Sequence, residues 1–204
     1  MYTKAKIYNL ALGALLLTKR VADVDTDPSS EVQTLNVHYE TALRSTLADL
    51  DLDGTSSQKA LELIELDPNP FWKYSYKYPS NCSFLRRIQS TVLKDNRTTQ
   101  IPRRVAVLNN VKVILTNQED AIGEYIPSDL NLSILTASAG LAIANKLAML
   151  SSPLVAGKNA ANIMKSIQSN YALAKSEAQE LDRLENANFD EDEITSEFVE
   201  TRLS

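Results

Sequence analysis

The stretch from residue 71 to residue 82 constrains the fold more than any other, because aromatic side chains recur in it at every second position. Its alternating aromatics are Trp72, Tyr74, Tyr76 and Tyr78. A period of two is typical of a β-strand, in which successive side chains point to opposite faces. Pro79 is expected to end this strand because it has no backbone N–H to donate. We interpret the four aromatics and Pro79 as structural core, and an aromatic platform for a ligand is the alternative.

Four other stretches carry apolar residues at helical spacing and are predicted to be α-helices. They cover residues 3–20, 30–50, 128–150 and 158–185. Thr3 and Ser128 are the expected N-caps of the first and third helices, and Ser30 with Gln33 is expected to form a capping box. Gly54 is expected to supply the left-handed residue after the second helix. The last two helices are predicted to form an antiparallel hairpin, with the alanine-rich third helix at the centre of the bundle.

The other regular signals favour β-structure. Residues 103–108 and 111–115 are rich in valine and are joined by Asn109-Asn110, so they predict a tight hairpin, because asparagine tolerates positive φ. Three weaker strand signals lie at residues 58–66, 83–93 and 121–126, of which the first is equally compatible with a helical turn.

Together these elements predict a mainly α fold of the α+β class. It is expected to be an antiparallel helical bundle with an inserted small antiparallel β region and an extended C-terminal arm. We assign residues 1–68 and 127–185 to the bundle, residues 69–126 to the β region and residues 186–204 to the arm. The five glycines and seven prolines are too few to favour an all-β chain.

Charge is segregated along the chain, although its net value is only −5. Residues 73–112 hold nine basic side chains and one acid, and we predict that a basic loop among them contacts a partner. The basic residues of that loop are Lys94, Arg97, Arg103 and Arg104. Residues 186–204 hold six acids and one base, yet they contain large apolar residues that a merely solvated tail seldom carries. These predicted partner contacts are Phe189, Ile194, Phe198, Val199 and Leu203.

Residue types that carry chemistry are scarce in this sequence. It has one histidine, His38, and one cysteine, Cys82, which excludes an internal disulfide and any metal site built from several cysteines. It shows neither a phosphate-binding glycine loop nor a nucleophile motif. The sequence therefore predicts no catalysis, no cofactor and no metal. An apolar run of about 18 residues is missing, so no membrane anchor is predicted, and the single cysteine fits a protein made in a reducing cytoplasm.

The order of these pieces resembles a known family. A helix pair is followed by the segment W-x-Y-x-Y-x-x-P-x-N-C at residues 72–82, a β-hairpin, an alanine-rich stretch over residues 129–148 and a long helix containing Tyr171. This arrangement resembles the tail tubular protein A family, the head-to-tail adaptors of short-tailed bacteriophages. The resemblance covers about residues 5–182. The sequence departs from the family at Leu50-Asp51-Leu52, where the family usually has a tryptophan, and in its long acidic arm.

The resemblance implies a structural protein of the virion tail that is made in the host cytoplasm. It implies a homo-oligomeric ring of about a dozen copies joined by heterologous contacts. Such a ring lies between the portal protein and the tail nozzle protein, and DNA passes through it without sequence-specific recognition. The arm is then expected to contact the portal or a neighbouring copy, and the basic loop a tail component or the DNA channel.

Two other functions remain open at this point. A nucleic-acid-binding or tail-associated accessory protein would use the aromatic strand together with its basic flanks. A cell-wall hydrolase would need two carboxylates about 5–10 Å apart in a cleft. The acids of this sequence fall mostly on turns, helix faces and the arm, which favours the hydrolase least.

Overall fold

The fold differs from the predicted class. The computed structural model describes residues 1–91, 100–155 and 160–186, and the chain divides into two compact units. The helical unit comprises Met1–Gly54 and the chain from Asn131 onwards, and the β unit comprises Thr55–Leu130. Helix accounts for 48% and strand for 25% of the structure, with two antiparallel sheets of three and four strands. The prediction of a mainly helical bundle with a small β insertion is therefore wrong, and the fold is α+β.

The described part of the helical unit contains four long helices. They are α1 (Lys4–Ala14), α2 (Ser30–Leu50), α3 (Ala137–Val155) and α4 (Ala160–Glu185). As predicted, Thr3 caps α1, because its Oγ1 accepts a hydrogen bond from the Lys6 N–H at 3.2 Å. The helix nevertheless ends at Ala14, well before residue 20, and Leu16 beyond it has a φ of 60°. That left-handed conformation is incompatible with a continuing α-helix.

The predicted caps of α2 are both replaced. The capping box of Ser30 and Gln33 does not form, because the Gln33 amide donates to the Pro28 carbonyl at 3.1 Å instead. Asp51, with φ 53° and ψ 48°, takes the left-handed position that was expected of Gly54. Asparagine and aspartate tolerate this conformation because their short polar side chains interact locally with the backbone.

Helix α3 begins later than Ser128, the residue expected to cap it. The Ser128 N–H donates to the Asn81 carbonyl at 2.7 Å, and the chain then passes through a 3₁₀ turn at Leu132–Ile134. Thr136 precedes α3, and its Oγ1 accepts from the Ala139 N–H at 3.2 Å, which is the geometry of an N-cap. The helix also includes Pro153 and ends at Val155, beyond the expected end at residue 150.

Helix α3 is the centre of the helical unit, as its composition predicted. It packs against α1, α2 and α4. Ser138 contacts Glu177 at 3.3 Å, whereas Lys146 lies over the Tyr171 ring at 5.4 Å, so α3 and α4 run antiparallel. Gly140 allows the N-terminal segment to lie close against α3, because a Cβ at this position would lie 2.3 Å from the ring of Tyr2.

The core of the helical unit is formed by side chains from all four helices. The largest fully buried apolar ones are Ile7, Tyr8, Leu12, Leu35, Leu50, Ile143, Leu147 and Ile167.

The described part of the β unit contains seven strands. They are β1 (Ser57–Ala60), β2 (Leu63–Asn69), β3 (Trp72–Lys77), β4 (Cys82–Gln89), β5 (Arg103–Leu108), β6 (Val111–Thr116) and β7 (Ile122–Pro127). One sheet has the order β1-β7-β4 and the other the order β2-β3-β6-β5, and every pairing is antiparallel. The β5–β6 hairpin is confirmed, with Asn109 and Asn110 at φ 49° and 62°.

The core of the β unit lies between the two sheets. Its buried residues are Tyr76, Leu85, Ile88, Ile114, Ala121 and Tyr125. Leu85, Ile88 and Tyr125 come from the three-stranded sheet, and Tyr76 and Ile114 from the four-stranded sheet. Burial of large side chains from both sheets supplies the hydrophobic stabilisation of this unit.

Candidate interaction surfaces

Three tyrosines, two in strand β3 and Tyr78 directly after it, lie in or against the core of the β unit. Tyr76 is 2% exposed, and its hydroxyl donates to the Gln118 carbonyl at 3.0 Å and accepts from the Ala121 N–H at 3.5 Å. The ring of Tyr74 stacks on that of Tyr76, with the centroids 6.1 Å apart. Tyr78 packs against the same core, and burial raises the pKa of its hydroxyl. These side chains therefore connect the two sheets and offer no open platform.

Trp72 differs from the tyrosines because it lies beside the turn between β2 and β3. It is half-buried and lines a shallow depression of about 550 Å³. Phe71, its neighbour in the turn, is 81% exposed, and its N–H donates to the Asn69 side chain at 3.0 Å. An exposed aromatic beside a half-buried tryptophan is typical of an anchor for a protein partner.

The segment after β3 carries the chain from one sheet to the other. The Pro79 carbonyl accepts from the Cys82 N–H at 3.1 Å, and Pro79 itself is half-buried. The Asn81 side-chain oxygen accepts from the Tyr125 hydroxyl at 3.0 Å. Burial is the main reason that the pKa of the Cys82 thiol is raised. Both hydrogen bonds stabilise the connection between β3 and β4.

The two arginines of the basic loop that the structure describes have different roles. Arg103 is half-buried and donates to the carbonyls of Arg86 and Leu85, and burial lowers the pKa of its guanidinium. Arg104 is exposed on the same strand. The other two predicted members, Lys94 and Arg97, lie outside the described residues. Arg103 is thus a structural residue of the β unit, and Arg104 is the surface charge.

The predicted contacts of the C-terminal arm lie beyond the part of the chain that the structure describes. These residues are Phe189, Ile194, Phe198, Val199 and Leu203. The described chain ends at Asn186, whose amide donates to the Asp182 carbonyl at 2.8 Å and continues the end of α4.

A buried ionic cluster on the three-stranded sheet was not predicted from the sequence. Glu124 is 1% exposed, and its Oε2 accepts from Arg87 Nε at 2.8 Å and from Gln89 Nε2 at 2.6 Å. Gln58 reaches the same oxygen at 3.5 Å, and Arg86 Nη1 lies 3.6 Å from Oε1. A buried carboxylate requires such partners because its desolvation is costly. The only sequence signal was one acid within the apolar strand β7.

A second unpredicted network joins α4 to the end of α2 within the helical unit. Asp49 accepts from the Tyr171 hydroxyl at 2.5 Å and from Lys175 Nζ at 2.7 Å, and these bonds lower the pKa of Asp49. The Asp182 carboxylate accepts from the backbone N–H groups of Asp53 at 3.1 Å and Gly54 at 3.3 Å. Both contacts fix the C-terminal end of α2 on α4.

The helical unit also has an apolar groove of about 390 Å³ on its surface. Its apolar lining includes Leu10, Leu141 and Leu173, and the last of these is 60% exposed.

Among the described residues, no group of three histidine, cysteine, aspartate or glutamate side chains could hold a metal ion. Within the same residues, none of the helices has the length and apolar character needed to cross a bilayer.

Comparison with known proteins adds no relative: the chain matches none of the protein-family models searched and none of the curated proteins.

Proposed function

We propose that this chain is a structural head-to-tail adaptor of a short-tailed phage virion. In this proposal, copies of the chain form a ring between the portal protein and the tail nozzle protein, and DNA passes through the ring without sequence-specific contacts. The protein acts through its surfaces and performs no reaction. The proposal starts from the resemblance that covers about residues 5–182, and one structural observation carries it further.

That observation is the role of the segment at residues 72–82, which is the most specific part of the resemblance. Its tyrosines enter the core between the sheets, and its Asn81 binds Tyr125 of the three-stranded sheet at 3.0 Å. The segment leads directly from β3 in one sheet to β4 in the other. A motif whose tyrosines and asparagine build the scaffold is what a structural protein requires.

The exposed side chains of both units favour contacts with other proteins. The β2–β3 turn exposes Phe71, and helix α4 exposes Leu173 and Leu184 at 60% and 58% of their surface. Exposed apolar side chains are typical of interaction sites when they form a contiguous patch with a polar rim. We assign the acidic arm to the portal or a neighbouring copy, and the basic loop with Arg104 to a tail component or the DNA channel.

The direct test uses phage heads that carry the portal but lack a tail. Labelled protein is mixed with these heads and sedimented, and the bound fraction is examined by electron microscopy. The proposal predicts a ring of density on the portal vertex and none on heads without portal. A chain that ends at Glu185 is expected to fold and to bind the heads far less, whereas Val37→Ala, at an exposed position of α2, is the matched control.

Two results would reject the proposal. One is wild-type protein that binds heads with and without portal equally. The other is a monomer that binds DNA tightly in low salt and loses that binding steeply as salt rises, without any attachment to heads, because counterion release is the signature of a nucleic-acid binder.

A further inference from the structure

The four-stranded sheet has two open edges within the part of the chain that the structure describes. There, β2 pairs only with β3, and β5 pairs only with β6. Both edges expose apolar side chains, which natural sheet edges normally avoid because unpaired strands recruit other chains. The exposed fractions are 48% for Leu63, 49% for Ile64 and 61% for Leu66 on β2, and 43% for Val105 and 66% for Val107 on β5.

The two edges carry opposite charge. The β2 edge includes Glu65 and Asp67, and no basic residue lies between positions 61 and 69. The β5–β6 hairpin carries Arg104 and Lys112, and no acid lies between positions 103 and 116. Arg104 and Glu65 are both exposed. Each edge is therefore electrostatically complementary to the other and repels a second copy of itself.

The strand directions also suit a contact between the two edges. The order β2-β3-β6-β5 contains four strands, and each neighbour is antiparallel, so β2 and β5 run in opposite directions. A second copy placed alongside in the same orientation therefore presents its β2 antiparallel to β5 of the first. The sheet would continue across the contact with its alternating directions unchanged.

Residues that pair across the four strands form rows that run from one edge of the sheet to the other. In two of these rows, the two ends carry side chains that are complementary in charge or are both apolar. One row runs from Glu65 through Ser75 and Leu115 to Arg104. A neighbouring row begins at Leu63 and ends at Val105. If the rows continue into the next copy, Arg104 faces Glu65 and Val105 faces Leu63.

We propose that β5 of one copy pairs with β2 of a second copy of this chain, and that this edge contact joins the subunits. The inference rests on the proposed function in one respect, namely that copies of the chain associate. The contact is heterologous, so it produces a closed ring when the rotation between copies closes and a filament when it does not. Strand β2 has register shifts between Leu63 and Glu65 and between Leu66 and Asn69, so its regular ladder is limited to Glu65 and Leu66, and Leu63 pairs on the far side of the bulge at Ile64.

The test reverses one charge on each edge. Glu65→Arg and Arg104→Glu are expected to weaken self-association by about tenfold each, because an attraction between exposed charges becomes a repulsion. An equimolar mixture of the two variants is expected to associate like the wild type, because every contact in an alternating assembly then joins opposite charges. The assembly is measured by analytical ultracentrifugation over a concentration series, and thermal melting confirms that each variant is folded.

The matched controls are Glu40→Arg and Arg44→Glu, which change the net charge equally. They disrupt an exposed ion pair of 3.4 Å on α2, which belongs to the helical unit and to neither edge strand, and should leave association unchanged. Edge variants that associate like the wild type, or a mixture that stays as weak as its components, would overturn the pairing. A wild-type chain that remains monomeric at all concentrations would overturn it as well. Head binding measured on the same preparations shows separately whether the adaptor proposal survives.

Discussion

The helical unit and the β unit differ in where they place charge. In the helical unit, Asp49 and Lys175 form their ion pair near the surface, and the buried polar side chains of α3 are uncharged. In the β unit, Glu124 is buried among arginine and glutamine side chains, whereas valines and leucines remain exposed on the sheet edges. A buried charge needs fixed partners, so the ionic cluster holds the β unit together, and the exposed apolar edges of the same unit are suited to join other chains.

The largest effect is expected from removing the buried carboxylate. Glu124→Ala should lower the free energy of unfolding of the β unit by about 3–5 kcal/mol, because the loss of one partner of a buried pair leaves the other charge poorly compensated. Urea denaturation measures this loss. Glu62→Ala, which removes an exposed partner of Lys77 at 3.3 Å, is the control and should change stability by about 1 kcal/mol or less. Equal losses for the two variants would show that the cluster is not a special feature of this unit.

A second prediction separates Tyr76 from Trp72 within the same strand. Tyr76→Ala should cost about 3–5 kcal/mol, because it leaves a cavity in the core. Trp72→Ala, at a half-buried position beside the turn, should cost about 2 kcal/mol or less. The comparison is made by urea denaturation of both variants. If Trp72→Ala were the more damaging, the tryptophan would be the core residue that its place in the alternation predicted.

A third prediction uses two glycines of the helical unit. Gly140→Ala should destabilise by about 1–3 kcal/mol, because its Cβ would collide with the Tyr2 ring. Gly13→Ala has no heavy atom within 4 Å of its Cβ and should stabilise α1 by about 0.5–1 kcal/mol. Thermal melting tests both predictions: the melting temperature should fall for Gly140→Ala and rise for Gly13→Ala. A stabilising Gly140→Ala would mean that the contact between α3 and the N-terminal segment is loose.

The smallest effect concerns pH. Hydrogen bonds from Lys175 and Tyr171 lower the pKa of Asp49 in the folded state. Its contribution to stability is therefore present above the unfolded pKa of about 4 and is lost as pH falls through the lower folded pKa. Asp49→Asn should remove that part of the acid dependence and cost less than about 1 kcal/mol near neutral pH, because the pair is partly exposed. Unfolding curves of the wild type and the variant between pH 2 and pH 6 test this prediction. It would be contradicted if the free energy of unfolding of Asp49→Asn fell with acid as steeply as that of the wild type.

The sequence predicted the parts of the fold that depend on local signals. The β5–β6 hairpin follows from Asn109-Asn110 between two valine-rich runs, and α4 follows from its apolar stripe, because in both cases the information lies within one segment. The sheet β1-β7-β4 could not be predicted in this way. It pairs residues 57–60 with residues 122–125, and no local pattern specifies a partner so distant along the chain.

The candidate surfaces show the same limit. The aromatic strand was identified from its period of two and Arg104 from the local excess of basic residues. The half-buried state of Trp72 and the hydrogen bonds from Arg103 to carbonyls of β4 depend on tertiary packing. The cluster around Glu124 was missed because its members come from three strands that are separated in the sequence. The complementarity between Glu65 on one sheet edge and Arg104 on the other could not be predicted, because it depends on the strand order and on the register.

The central claim is that copies of the chain join through the edges of the four-stranded sheet. Amide hydrogen exchange, measured on the assembled protein and on the dilute monomer, tests it most directly, because ladder formation protects edge N–H groups. We predict slower exchange in the assembly for residues 63–66 and 103–108, with α1 and α2 unchanged. Assembled protein in which both edges exchange as fast as in the monomer would contradict the claim.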